Sequence, residues 1–272
     1  MTAVCLWKTP DILPAERLMR GIGDMLTVFG GAESLITASD TVLIKPDCAD
    51  CTGDVRYSAT SAQLVEAAVM MAAELGASKI IIGEKPLPGQ KLADNMAACG
   101  YDKIAKAYGA VCRDLGADEQ FYLELSQALA LNGLYLPRSL AEADVVLALP
   151  KLNASGSSFN CAAANIANLI CADDAVAMLQ MPSRGLMDYC SAVTPAMTIV
   201  DAVDVTVLDK KRRLNGIVVG ADGFAVDTVC ATMVGVNPAT IEYLLLAEQY
   251  GLGCANPAQI KLYGENLLKF ME

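Results

Sequence analysis

Cys48 and Cys51 form a C-x-x-C pair directly behind Lys45-Pro46-Asp47, and Cys161 follows a second lysine, Lys151. A thiolate is both a nucleophile and a soft metal ligand, and a neighbouring ammonium group or helix start favours the thiolate over the thiol. Three such sulfurs brought together would suit an iron-sulfur cluster or a structural zinc, with Cys171 or Cys190 as a fourth ligand. The same pair could instead do thiol redox chemistry. With ten cysteines in the chain, plain loop packing also produces this spacing, so all three readings stand open.

The lysines carry a second line of chemistry. Three apolar runs each break off at a lysine: Val42-Leu43-Ile44-Lys45, Ile80-Ile81-Ile82-Gly83-Glu84-Lys85, and Val145 to Pro150-Lys151. Runs of this kind read as strands buried on both faces of a parallel sheet, and their first polar residues emerge at the carboxyl edge, where open α/β sheets bind ligands. Lys45 and Lys151 at one edge would form an anion clamp. The backbone amides of Ser155-Gly156-Ser157-Ser158 would help to hold a carboxylate or phosphate. That loop lacks the glycine spacing of a nucleotide-binding fingerprint. The chain has no histidine, so acid-base work falls to lysine, cysteine, tyrosine and the carboxylates. Asp201 or Asp227 is a candidate general acid. Asp222 reads as a helix cap, and Asp227 also reads as a buried partner within an apolar helix.

The elements that must position these groups follow from periodicity. Strands are expected at Ala3 to Lys8, Thr41 to Lys45, Lys79 to Gly83, Asp144 to Leu149, Met197 to Val203, Gly216 to Gly220 and Gln259 to Tyr263. Helices are expected at Pro14 to Phe29, Ser61 to Leu75, Cys161 to Ile170, Phe224 to Met233 and Pro238 to Tyr250, with Gly76 as a stop. Residues 41–83 then make a right-handed β-α-β unit. The predicted fold is a single α/β domain over residues 1–272, a mainly parallel sheet with helices on both faces. Residues 86–140 read either as a small inserted subdomain or as a sheet edge, with short strands near Ala110 to Asp114, Phe121 to Leu125 and Leu131 to Leu136.

Composition narrows the function classes. The 272 residues are 54% hydrophobic with a mean hydropathy of +0.39, enough to bury a sizeable core. No apolar run approaches the roughly 20 residues that span a bilayer, and Met1 to Pro10 lacks the pattern of a secretory signal. A cytoplasmic protein with reduced cysteines and no membrane partner is expected. A net charge of -11 with no basic run argues against nucleic acid.

The order of these landmarks resembles the domain-of-unknown-function 362 family. The resemblance rests on Val42 to Pro46, Ser61 to Ala77, Ile80 to Glu84, Asp144 to Lys151, Ile199 to Ala202, Asp222 to Gly235 and Tyr250 to Gly253. It implies an α/β sheet domain found in iron-sulfur proteins that carry a ferredoxin-like module, and so a ferredoxin-like electron partner. This chain departs from the family pattern after Pro150-Lys151-Leu152: where the family continues with a lysine and a histidine, then a threonine and a Lys-Asn pair on the next helix, it has Asn153-Ala154-Ser155, followed by Cys161 and by Asn165 or Asn168. Three functions are therefore expected as alternatives: iron-sulfur or metal-based redox chemistry, binding or non-redox turnover of a small anionic metabolite, and an inactive subunit of a larger complex.

Overall fold

Strands form where the β-branched runs predict them. In the computed structural model, which describes residues 1–11, 13–155 and 158–271, they are β1 (Thr2–Lys8), β2 (Thr41–Pro46), β3 (Lys79–Glu84), β4 (Val111–Asp114), β5 (Gln120–Glu124), β6 (Gly133–Pro137), β7 (Val145–Leu149), β8 (Lys151–Ala154), β9 (Met197–Val207), β10 (Lys210–Gly220) and β11 (Ile260–Gly264). Among the described residues, nine strands make one sheet in the order β11-β1-β10-β9-β7-β2-β3-β4, with β8 alongside β9. Pairing is parallel except that β10 runs antiparallel to β1 and β9. This is the expected α/β architecture. Of the 86–140 stretch, β4 joins the sheet edge beside β3, and β5 and β6 form a separate two-stranded ribbon.

The apolar runs are continuous because both faces of the central strands are covered. Val42 and Ile44 point into one core with Leu18 and Ile22 of the helix Ala15–Leu26 and with Leu64 and Ala68 of the helix Ala62–Glu74. Leu43 and Ile81 point to the opposite face, under Ile166 and Tyr189. Further along that face, Val200 and Val218 pack against Val226 and Cys230 of the helix Gly223–Met233. Gly76 terminates the helix Ala62–Glu74 at φ +83°, a conformation that favours glycine.

Two stretches differ from the sequence expectation. The strand expected to end at Val203 continues to Val207, turns through Leu208 and Asp209 at positive φ, and returns as β10. A polar Asp204 does not end it because Arg213 on the opposing strand bridges the carboxylate at 2.9 Å. The helices Ala172–Gln180 and Pro182–Ala192 occupy a stretch to which periodicity assigns no element.

Strand order then locates a crevice. β2 has β3 on one side and β7 on the other, both parallel to it. The chain winds from β2 through β3 to β4 and later returns to the far side of β2. The reversal falls between β2 and β7, and in open α/β sheets the loops leaving two such strands part to opposite faces and open a ligand crevice.

Candidate functional site

The crevice is built from the residues that end these two strands and their neighbours. Lys45 is the penultimate residue of β2, and Pro46 closes the strand, placing Asp47 at its mouth. Lys45 is fully buried. Its Nζ lies 3.0 and 3.1 Å from the two oxygens of Glu84, the equally buried last residue of β3. Glu84 also accepts from the backbone N–H of Lys85 at 2.8 Å. On the β7 side, Lys151 is buried and its Nζ lies 3.1 Å from Asp201 Oδ1 on β9. Asp201 Oδ2 accepts from the Ser61 N–H at 2.7 Å, so it caps the helix Ala62–Glu74, whose Ser61 does not cap it with its own side chain.

Asp47 joins the two pairs. Its Oδ2 accepts from the Lys151 backbone N–H at 2.7 Å and its Oδ1 from Asn165 Nδ2 at 2.5 Å. Thr60 ties the same loop to β7, donating to the Leu149 carbonyl at 2.5 Å and accepting from the Asp47 N–H at 2.9 Å. Tyr101 buttresses it from behind, donating to the Thr60 carbonyl. Glu84, Lys45, Asp47, Lys151 and Asp201 thus form a string of alternating charge across the carboxyl edge. Burial pushes the Asp47 and Glu84 carboxyls up, and the Lys45 ammonium offsets part of that rise in both. Each ammonium already faces a carboxylate, so the lysines balance charge within the crevice.

A polar pocket of about 290 Å³ opens here, walled by Asp47, Asp50, Lys151, Asn153, Asn160 and Asn165. Asn165 is 1% exposed, and its Oδ1 has no hydrogen-bond partner among the described residues. Its orientation is fixed, because exchanging oxygen and nitrogen would set the oxygen against Asp47 Oδ1 and the Pro46 carbonyl, 3.4 Å away. Ser58, on the same wall, likewise has a buried hydroxyl without a partner. Native folds rarely leave such atoms unsatisfied. A second pocket of about 270 Å³, lined by Leu13, Leu18, Val55, Ala59 and Cys99, shares Lys151 as a wall.

The cysteines do not gather as their positions suggest. Cys48 and Cys51 lie beside the crevice in one core, whereas Cys161 is buried in another, against Cys230 and Asp227. Among the described residues, no group of three cysteine or acidic side chains is arranged to hold a metal. Of the proposed anion loop, Ser155 donates to Asn153 Oδ1 at 2.8 Å, Ser158 N–H donates to the Ser155 carbonyl at 2.9 Å, and Gly156 and Ser157 lie outside the described residues. Asp222 caps its helix as predicted, accepting from Phe224 and Ala225. Asp227 is a long-range cap. It accepts from the Ala162 and Ala163 N–H groups at 2.7 and 3.0 Å and from the Tyr243 hydroxyl at 2.9 Å.

Asp47, Ser58, Thr60 and Glu84 do not stand out in the sequence as site residues. Two of them leave a trace: Asp47 and Glu84 are the carboxylates placed within two residues of a strand-ending lysine. No helix among the described residues is long and apolar enough to cross a membrane.

The chain is similar to the thylakoid-associated protein sll1697 of Synechocystis sp., 23% identical over 267 residues that cover 91% of this chain and 78% of that protein. The model of the family described as Domain of unknown function (DUF362) matches residues 42–232, a span that holds every residue of the crevice. By that match the chain belongs to the DUF362 family.

Proposed function

We propose that the crevice binds a small metabolite rich in hydroxyl or amino groups, in the cytoplasm, with Asp47 as the group that exchanges a proton with it. The observation that carries this reading is the buried Oδ1 of Asn165, a residue of the pocket wall, an acceptor of fixed orientation with no donor among the described residues. A ligand hydroxyl or amine supplies that donor, and the Ser58 hydroxyl, without a partner among the described residues, offers a second contact. The lysines favour a donor-rich ligand over a bare anion, because Glu84 and Asp201 already neutralise them. Asp47 suits proton exchange because burial raises its carboxyl while two amide groups hold it in place.

Ligand-observed NMR with matched polyols, amino sugars and amino acids, against carboxylates and phosphates without hydroxyl or amino groups, tests the reading. Donor-rich compounds are expected to bind, and Asn165→Ala to weaken them about tenfold or more, as expected when a buried acceptor contact is lost. Binding confined to the bare anions, with Asn165→Ala indistinguishable from wild type, would refute it.

A further inference from the structure

The C-x-x-C pair points one way in the sequence and another in the fold. Cys51 Sγ lies 3.4 Å from Cys99 Sγ, 48 residues further along the chain, while it meets Cys48 through that residue's carbonyl oxygen at 3.6 Å. Cys48 is fully buried, whereas Cys51 and Cys99 are half-buried. Cys99 ends the helix Leu92–Cys99 and lines the apolar pocket, so a small reagent can reach it. Cys51 sits in the loop that supplies Asp47, Asp50 and Ser58 to the polar pocket. We propose that Cys51 and Cys99 form a reversible disulfide, made by exchange with a low-molecular-weight disulfide, that fastens this loop to the helix Leu92–Cys99.

A disulfide needs a sulfur separation of about 2.05 Å, so closure asks for roughly 1.4 Å of approach. The loop can provide it: Thr52 and Gly53 are exposed, and Gly53 has no neighbour where a Cβ would stand. The Cys99 sulfur attacks one sulfur of the small disulfide, forming a mixed disulfide and expelling one thiolate. The Cys51 sulfur then attacks the Cys99 sulfur and expels the second thiolate. Two protein thiols are oxidised, one small disulfide is reduced to two thiols, and the two protein protons go to the expelled thiolates. The order follows from access: Cys99 lines the pocket that a small reagent enters, and Cys51 lies 3.4 Å behind it, placed for the second, intramolecular step.

The inference does not depend on the ligand proposed for the crevice, because bond formation is read without one. The reduced full chain is exposed to excess glutathione disulfide, its remaining thiols are alkylated, and its peptides are mapped without reduction. A Cys51–Cys99 cross-linked peptide is expected as the main product, with the other eight cysteines alkylated, reversal by dithiothreitol and the same product from Cys48→Ser. A Cys48–Cys51 bond, glutathione retained on Cys99, or alkylation of both Cys51 and Cys99 would overturn the proposal. Hydrogen exchange at residues 47–53 is expected to slow on oxidation, and unchanged exchange would overturn the fastening. The wild-type map decides the main question even where a variant fails to fold.

Discussion

Among the buried carboxylate centres of the described residues, the Asp47 crevice and Asp227 make an instructive pair. Each accepts backbone N–H groups at the start of a helix or strand. Around Asp227 the described polar groups find partners: two amides, the Tyr243 hydroxyl and the Cys161 thiol converge on one carboxylate. The crevice instead holds a five-membered string of charges and leaves Asn165 Oδ1 and the Ser58 hydroxyl without partners among the described residues, beside an open pocket. A satisfied buried carboxylate joins elements together. A carboxylate flanked by unpartnered polar atoms, at the point where strand order reverses, fits the proposed binding of something that arrives from outside.

The largest effect that could break this comparison is expected at Lys45. Lys45→Met leaves Glu84 fully buried without its counter-ion, and removing one partner of a buried pair costs about 3–5 kcal/mol. The double variant Lys45→Met with Glu84→Gln keeps an acceptor for the Lys85 N–H and should recover most of that loss. Urea unfolding of the three proteins is the measurement. A single variant as stable as wild type would mean that the charge string does not hold the crevice together.

A somewhat smaller effect is expected at Asp227. Burial pushes its carboxyl up to about 6, above the unfolded value of about 3.9. The folded chain therefore binds this proton more tightly than the unfolded chain. The resulting stability is fully present below about pH 4 and is lost as pH rises through about 6. A two-unit shift corresponds to about 3 kcal/mol. Asp47 and Glu84 are pushed in the same direction, so the difference between wild type and Asp227→Asn isolates the one carboxyl. Unfolding free energies of the two proteins from urea titrations, compared across that pH window, should diverge by this amount, with the variant the flatter. Parallel profiles would show that Asp227 titrates normally and that its centre is not the closed one.

The sheet was largely legible in the sequence, because burial on both faces writes itself as continuous apolar runs such as Val42-Leu43-Ile44 and Ile80-Ile81-Ile82. The lysines at their ends were legible for the same reason, but their partners were not. Lys45 meets Glu84 through the register of β2 on β3, and a carboxylate at a strand end carries no period that reveals which neighbour it will face. Asn165 contacts Asp47 across 118 residues, and the Cys51–Cys99 approach joins a loop to the end of a helix 48 residues further on. Cys161 shows the converse. Its place after Lys151 suggests the crevice, yet the helix start turns it into the core shared with Cys230.

The smallest expected effect sharpens the comparison most, because it separates a residue kept for a ligand from one kept for the fold. The Ser58 hydroxyl has no partner within the described protein, so Ser58→Ala removes no internal hydrogen bond and relieves a buried polar atom. Its unfolding free energy should stay within about 0.5 kcal/mol of wild type. Affinity for a donor-rich ligand should fall about fivefold, the equivalent of one neutral hydrogen bond of about 1 kcal/mol. Tyr243→Phe supplies the contrast: it strips a donor from a buried carboxylate, so it should destabilise the fold by about 1–3 kcal/mol and leave ligand affinity untouched. Paired unfolding and binding titrations on the two variants read both quantities. If Ser58→Ala destabilised the chain as much as Tyr243→Phe and left binding unchanged, the two centres would be of one kind, both structural.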